Sequence, residues 1–248
     1  MMRDTRLLMG MPITVEIVDD APAGLLDEVF DYFAAVDARF STYKPDSEIS
    51  ALNQGRVVLA DVSLEMQEVL GLAERTRRET DGYFEIKRSD GRLDPSGIVK
   101  GWAIRNAADL VRRSGARDFH VDAGGDIQTG GKNPDGEHWR IGIRNPFNER
   151  EIIKAVAPKG RGIATSGSYV RGQHIYDPHA PRRPIEDIVS LTVIGPDVLE
   201  ADRFSTAAFA MGKAGIHFIE ELPGLEGYMV DAGGVATQTS GFKGFVLS

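Results

Sequence analysis

The sequence predicts an α+β protein, one domain over residues 1–248, with a mixed or antiparallel sheet and flanking helices. Three observations predict it. The first half carries three segments with apolar residues at helical spacing. The second half is a series of short β-branched runs broken by Gly-rich turns. No internal repeat, low-complexity tract or composition break divides the chain.

Taken in order, MPITVEIV (11–18) alternates and is β-branched, which predicts a strand. PAGLLDEVFDYFAAVDARFS predicts an amphipathic helix with Pro22 near its start. The polar STYKPDSEISALNQG reads as a loop. SLEMQEVLGLAERTRRET reads as a second helix, N-capped by Ser63, with Met66, Val69, Leu70 and Ala73 inward. DGYFEI leads through a turn into LDPSGIVKGWAIRNAADLVRRSGA, a third helix ending at Gly115. FHVDAGGDIQTGG predicts two strands around a Gly-Gly turn, and HWRIGIRNP and EIIKAVAP are strand-like. IVSLTVIG is a strong strand, LEADRFSTAAFAMG a core helix, and GYMVDAGG and FKGFVLS closing strands.

Composition narrows the function. The 248 residues are 42% hydrophobic and 27% charged, enough for a sizeable core. A net charge of −8 argues against nucleic acid or an anionic membrane as a bulk electrostatic partner. The chain has no cysteine, so disulfides, thiolate nucleophiles and Cys-type metal sites are excluded. Neither a membrane-spanning run nor a signal peptide or lipobox is visible, which points to the cytoplasm.

Four segments carry chemistry, and each admits a plain reading beside the functional one. In DPSGIVKGWA, Gly97 and Gly101 allow close backbone approach and Lys100 offers a cation at a helix start; the alternative is a capped helix with a snorkelling lysine. In VDAGGDIQTGG, the Gly-Gly-Asp turn either presents free amides to a phosphate or is a simple hairpin. Neither segment fits a P-loop or a dinucleotide fingerprint. IATSGSYVRGQHIYDP crowds hydroxyls around Gly167 and brings His174 close to Asp177 in sequence, a candidate base or a structural histidine. In LEADRFSTAAFAMG, Asp202 and Thr206 share one helical face. They are either an N-cap bonding the Ser205 amide with a back-bonded threonine, or two hard oxygen ligands for magnesium.

Together with MGM at 9–11 and FSTYKPDSEISALN, the segments DPSGIVKGWA, VDAGGDI, IATSGSY, HIYDP and ADRFSTAAFAMG run in the order found in one family. The chain resembles the FAD:protein FMN transferases, the ApbE family. The resemblance implies an α+β fold, a magnesium ion, and FAD as substrate. It implies cleavage of the FAD pyrophosphate, transfer of FMN to a Ser or Thr hydroxyl of an acceptor flavoprotein, and release of AMP. Hydrolysis of FAD to FMN and AMP by the same site is the nearest alternative; a non-catalytic flavin-binding protein is a third.

Residue by residue, the resemblance implies that Asp202, Thr206 and the backbone carbonyl of Ala164 hold the metal. Lys100 and Gly101 match the flavin-binding helix start, and Gly124, Gly125 and Asp126 a nucleotide-contacting turn. Tyr43 matches a residue lining the FAD pocket, and Thr165, Ser166 and Gly167 border the pyrophosphate. His174 matches the histidine that accepts the proton of the incoming hydroxyl. Pro95, Ser96, Trp102 and HAPRRP depart from the family pattern and bear on acceptor specificity. Thr237, in DAGGVATQTSG, sits in what reads as a turn between strands and is faintly similar to the acceptor pattern.

Overall fold

A computed structural model describes residues 1–167 and 175–247. Its centre is an eight-stranded sheet in the order β1-β2-β3-β4-β7-β8-β9-β10, and every neighbouring pair is antiparallel. The strands are β1 (Met2–Leu8), β2 (Met11–Ile17), β3 (Phe119–Ala123), β4 (Asp126–Gly130), β7 (Gly162–Gly167), β8 (Ile188–Gly195), β9 (Glu226–Asp231) and β10 (Ala236–Gln238). A separate hairpin pairs β5 (Ile141–Asn145) with β6 (Asn148–Val156). The helices are α1 (Leu25–Phe40), α2 (Glu48–Asn53), α3 (Leu64–Glu79), α4 (Ser96–Arg113), α5 (Val198–Ala210) and α6 (Gly215–Glu221).

The apolar periodicities sort these elements into three packed clusters. Val29, Phe33, Met66, Ile98 and Trp102 from α1, α3 and α4 bury against Ile13, Val15, Phe119 and Val121 of β2 and β3. Phe204, Ala208 and Ile216 from α5 and α6 bury against Leu191 and Val193 of β8 and Met229 of β9. Since α5 also sends Val198, Leu199 and Ala207 into the first cluster, it bridges the two. The third cluster joins Ile143 and Val156 of the β5–β6 hairpin to Ile127, Ile163, Ile194 and Tyr228 of the sheet. It holds residues that alternate along β7 and β8 with those of the helix-covered face, as period-2 geometry requires.

Most predicted elements are present, with informative differences. The 41–55 loop contains α2: Ser47 accepts the Ser50 amide at 3.2 Å, and Ile49 is fully buried beneath it. Leu70 is only half-buried, and Leu72 takes an inward place. FKGFVLS is a short 3-10 helix over Phe242–Phe245 that anchors Phe242, with Val246 making one bridge to Val156. Thr237 is exposed in β10 rather than in a turn. Strand β1 escaped the sequence reading because it turns charge inward: Arg6 stacks over Phe30 at 4.3 Å and pairs with Asp4 and Asp27. Inward charge of this kind suits an edge strand, which otherwise invites pairing with another chain.

Candidate functional site

The site is built where α4 crosses α5. Asp197 caps α5, accepting the Glu200 amide at 2.9 Å, and Gln128 Oε1 accepts the Val198 amide. Asp202 therefore lies inside the helix, which overturns its reading as the N-cap bonding Ser205. Thr206 does not bond back either: the hydroxyl that donates to the Asp202 carbonyl, at 3.0 Å, belongs to Ser205. Among the described residues the half-buried Thr206 hydroxyl has no hydrogen-bond partner.

Gly97 and Gly101, one turn apart on α4, face Thr206 and Asp202, one turn apart on α5. A Cβ at Gly101 would sit 2.7 Å from Asp202 Cβ and 3.0 Å from Leu199 Cα; one at Gly97 would lie 3.5 Å from Thr206 Cγ2. These glycines bring the backbone close to α5. In that gap the Gly101 amide donates to Asp202 Oδ2 at 2.8 Å.

Asp202 is 3% exposed. Burial pushes its carboxyl well above the ordinary range, the neighbouring Asp126 pushes the same way, and the Lys100 ammonium and Gly101 amide oppose them. Lys100 Nζ lies 3.6 Å from Asp202 Oδ1 and closer to Asp126 Oδ2. Asp126 is 2% exposed, and its Oδ1 accepts the Thr165 amide at 3.0 Å. Asp126 thus faces the buried cluster, not the open side of its turn.

The turn before it takes the simple-hairpin reading of the two. Gly124 and Gly125 have φ of 63° and 97°, the mirror-image turn that suits a two-residue hairpin. Both amides are taken, Gly124 by the Pro12 carbonyl at 3.1 Å and Gly125 by Asp122 Oδ1 at 2.8 Å. No free-amide cradle exists at these two residues. Burial raises the Asp122 carboxyl, against the pull of the Gly125 amide.

On β7, Ser166 is buried and its hydroxyl pairs with Ser205 of α5 at 2.9 Å, while Thr165 Oγ1 meets Thr192 Oγ1 at 2.8 Å. Gly167 is half-buried at the end of the strand. Ala164 is fully buried. Its carbonyl shares a trans peptide with the Thr165 N–H, so with that N–H on Asp126 the carbonyl points the opposite way, away from Asp126. Tyr43 is 95% exposed, with no hydrogen bond or ring contact among the described residues. His174 lies outside the described residues. Asp177 accepts the His179 amide at 2.8 Å, and Arg182 and Arg183 are exposed.

The structure therefore assembles Lys100, Gly101, Asp126, Asp202 and Thr206 in one place. The link from Asp126 to Lys100 was missed in the sequence, because a turn carboxylate and a helix lysine give no local sign that they meet. Among the described residues no group of three or more His, Asp or Glu is placed to hold a metal ion. No helix among them is long and apolar enough to cross a membrane.

The profile of the ApbE family matches residues 9–89 and 86–229. The FAD:protein FMN transferase of Escherichia coli K12 is 33% identical over 67% of this chain and 51% of its own length. That of Haemophilus influenzae is 25% identical over 95% of this chain and 88% of its own. The chain spans about half the length of several of the relatives it matches, including that from E. coli. Among solved structures, the flavin transferase ApbE from Vibrio cholerae superposes with a TM-score of 0.87 at 25% identity, covering 98% of each chain. The ApbE protein from Thermotoga maritima has the same fold, with a TM-score of 0.86 at 21% identity over 100% of this chain and 99% of its own. With a family profile running from residue 9 to residue 229, the chain belongs to the ApbE family.

Proposed function

We propose that the chain is a magnesium-dependent FAD:protein FMN transferase, with FAD as substrate and a Ser or Thr hydroxyl of an acceptor flavoprotein as the group modified. The observation that carries this reading is the pairing, on one face of α5, of a buried carboxylate, Asp202, with the Thr206 hydroxyl, which has no partner among the described residues. The curated relatives from E. coli and H. influenzae bear the transferase name.

Asp202 and Thr206 fit a hard divalent cation. One carboxylate and one hydroxyl leave most of an octahedral shell to water and phosphate oxygens, which is how magnesium is usually bound. When bound, the ion supplies positive charge where a pyrophosphate carries negative charge, in a chain of net charge −8. The chain's own groups do the rest. Lys100, from the first turns of α4, brings an ammonium to the same place. Gly101 fixes Asp202 through its amide, so the carboxylate is set before substrate arrives.

In the transfer, the acceptor hydroxyl oxygen forms a bond to the FMN phosphorus as the pyrophosphate P–O bond breaks, and AMP leaves with that electron pair. The hydroxyl proton goes to a base, a role the resemblance assigns to His174. Incubation with FAD and magnesium, with and without an acceptor flavoprotein, tests this by mass spectrometry. Covalent FMN on the acceptor with AMP release is expected. AMP and free FMN without acceptor labelling would make the chain an FAD pyrophosphatase, and FAD binding with no AMP under either condition a flavin-binding protein.

A further inference from the structure

Asp126 and Asp202 face one another's charge across Lys100 with a shared pattern. Each carboxylate has one oxygen pinned by a backbone amide: Asp126 Oδ1 by Thr165 at 3.0 Å, and Asp202 Oδ2 by Gly101 at 2.8 Å. Each directs its other oxygen at Lys100 Nζ, which lies closer to Asp126 Oδ2 than to Asp202 Oδ1, 3.6 Å away. Side-chain exposure is 2% for Asp126, 4% for Asp202 and 20% for Lys100. Two carboxylates taken out of water side by side repel strongly, and a buried charge persists only with a partner.

We infer that the Lys100 ammonium, held by Asp126, is the resident counter-ion of Asp202, and that an incoming divalent cation competes with it for Asp202 Oδ1. Asp126 is then a positioning residue: it keeps Lys100 beside Asp202 without pressing it against the oxygen that the cation needs. The unequal distances favour this division of roles, since the ammonium is nearer to the carboxylate that carries no adjoining hydroxyl ligand. The inference rests on the reading of Asp202 as a cation-binding residue. It goes beyond that reading by giving Lys100 and Asp126 work in the metal-free protein.

Three variants test it without any catalytic assay: Lys100→Met, Asp126→Asn, and the two combined. Thermal melting in chelator reads the metal-free protein, and titration calorimetry with magnesium or manganese alone reads cation affinity. Lys100→Met is expected to lower the melting temperature in chelator by on the order of 10 °C, since it leaves two adjacent buried carboxylates without the cation between them. The combined variant, which removes one of those charges, is expected to recover most of that loss. Cation affinity is expected to rise about tenfold in Lys100→Met and to fall about tenfold in Asp126→Asn, where Lys100 is no longer drawn from Asp202 by a second carboxylate.

Melting effects that simply add, with affinities unchanged within about twofold, would overturn the inference, because two independent residues behave that way. Should the unaltered protein bind neither cation, the assignment of Asp202 fails; the melting cycle still decides, separately, whether Lys100 balances the carboxylate pair. If Lys100→Met does not fold, a folded combined variant supports the counter-ion role, and a combined variant that also fails to fold overturns it.

Discussion

The Gly101 amide donates to Asp202 Oδ2 at 2.8 Å, joining two residues 101 positions apart in sequence across the contact of α4 with α5. The bond exists only because residue 101 has no side chain. A methyl group there would meet Leu199 Cα at 3.0 Å as well as Asp202 itself, and a backbone atom cannot swing aside. Gly101→Ala is expected to separate the helices at a cost of about 1–3 kcal/mol. Urea unfolding measures the loss, and calorimetry should show weaker magnesium binding in the same variant. Unchanged stability would mean that the crossing relaxes without strain.

Asp202→Ala should separate function from folding. The carboxylate is buried and crowded by Asp126, so relief of that crowding offsets the loss of its bond to the Gly101 amide, and the melting temperature is expected to change little. AMP release from FAD should fall by at least about 10²–10³-fold, the scale on which one preorganised electrostatic group contributes. Magnesium-dependent AMP release at the original rate would remove Asp202 from the proposed metal site.

Thr206→Val keeps the shape of the side chain and deletes its hydroxyl. That hydroxyl has no partner among the described residues, so no fold-stabilising hydrogen bond is lost and the unfolding midpoint should hold. Magnesium affinity should drop about tenfold or more. A large loss of stability with intact cation binding would give Thr206 a packing role instead.

His120 sets a pH dependence on the fold. It stacks on Trp139 at 5.2 Å, pairs in register with Glu16 and Thr129, and has Nδ1 buried without a partner among the described residues. Burial pushes its imidazole down to about 4, and the charge of Arg3 pushes the same way. Since the unfolded chain binds this proton more readily, stability is full above the unfolded value and falls as pH drops from about 6.5 toward 4. The loss from this residue is roughly 3 kcal/mol. His120→Phe should flatten the stability profile over that range, as followed by denaturant unfolding at several pH values; an unaltered slope would assign it to carboxylates.

The two classes of sequence signal fared differently. Periodicity located the long helices because α1, α3 and α4 each send a continuous apolar stripe into one cluster. Short or charged elements escaped: α2 is six residues in a polar context, and β1 alternates Asp4 and Arg6 where core residues are expected. At the site, the spacing of Asp202 and Thr206 was legible since one turn of helix fixes it. The meeting of Asp126 with Lys100 was not, because strand pairing and helix packing decide it together. The glycines of the 124–125 turn are open to two readings from sequence, a phosphate cradle or a simple hairpin, and tertiary contacts decide between them: Pro12 of β2 and Asp122 hold their amides.

Helix α5 is shared by two apolar clusters, and the amides that pin the paired carboxylates lie on either side of it: Gly101 on α4 in one, Thr165 on β7 beside the other. The integrity of the site is thus a property of how two half-cores dock, measurable in the absence of any ligand. Hydrogen exchange at those two amides reports that docking directly. A chain whose clusters stay protected while Gly101 and Thr165 exchange quickly would be folded by every bulk criterion and still have no site.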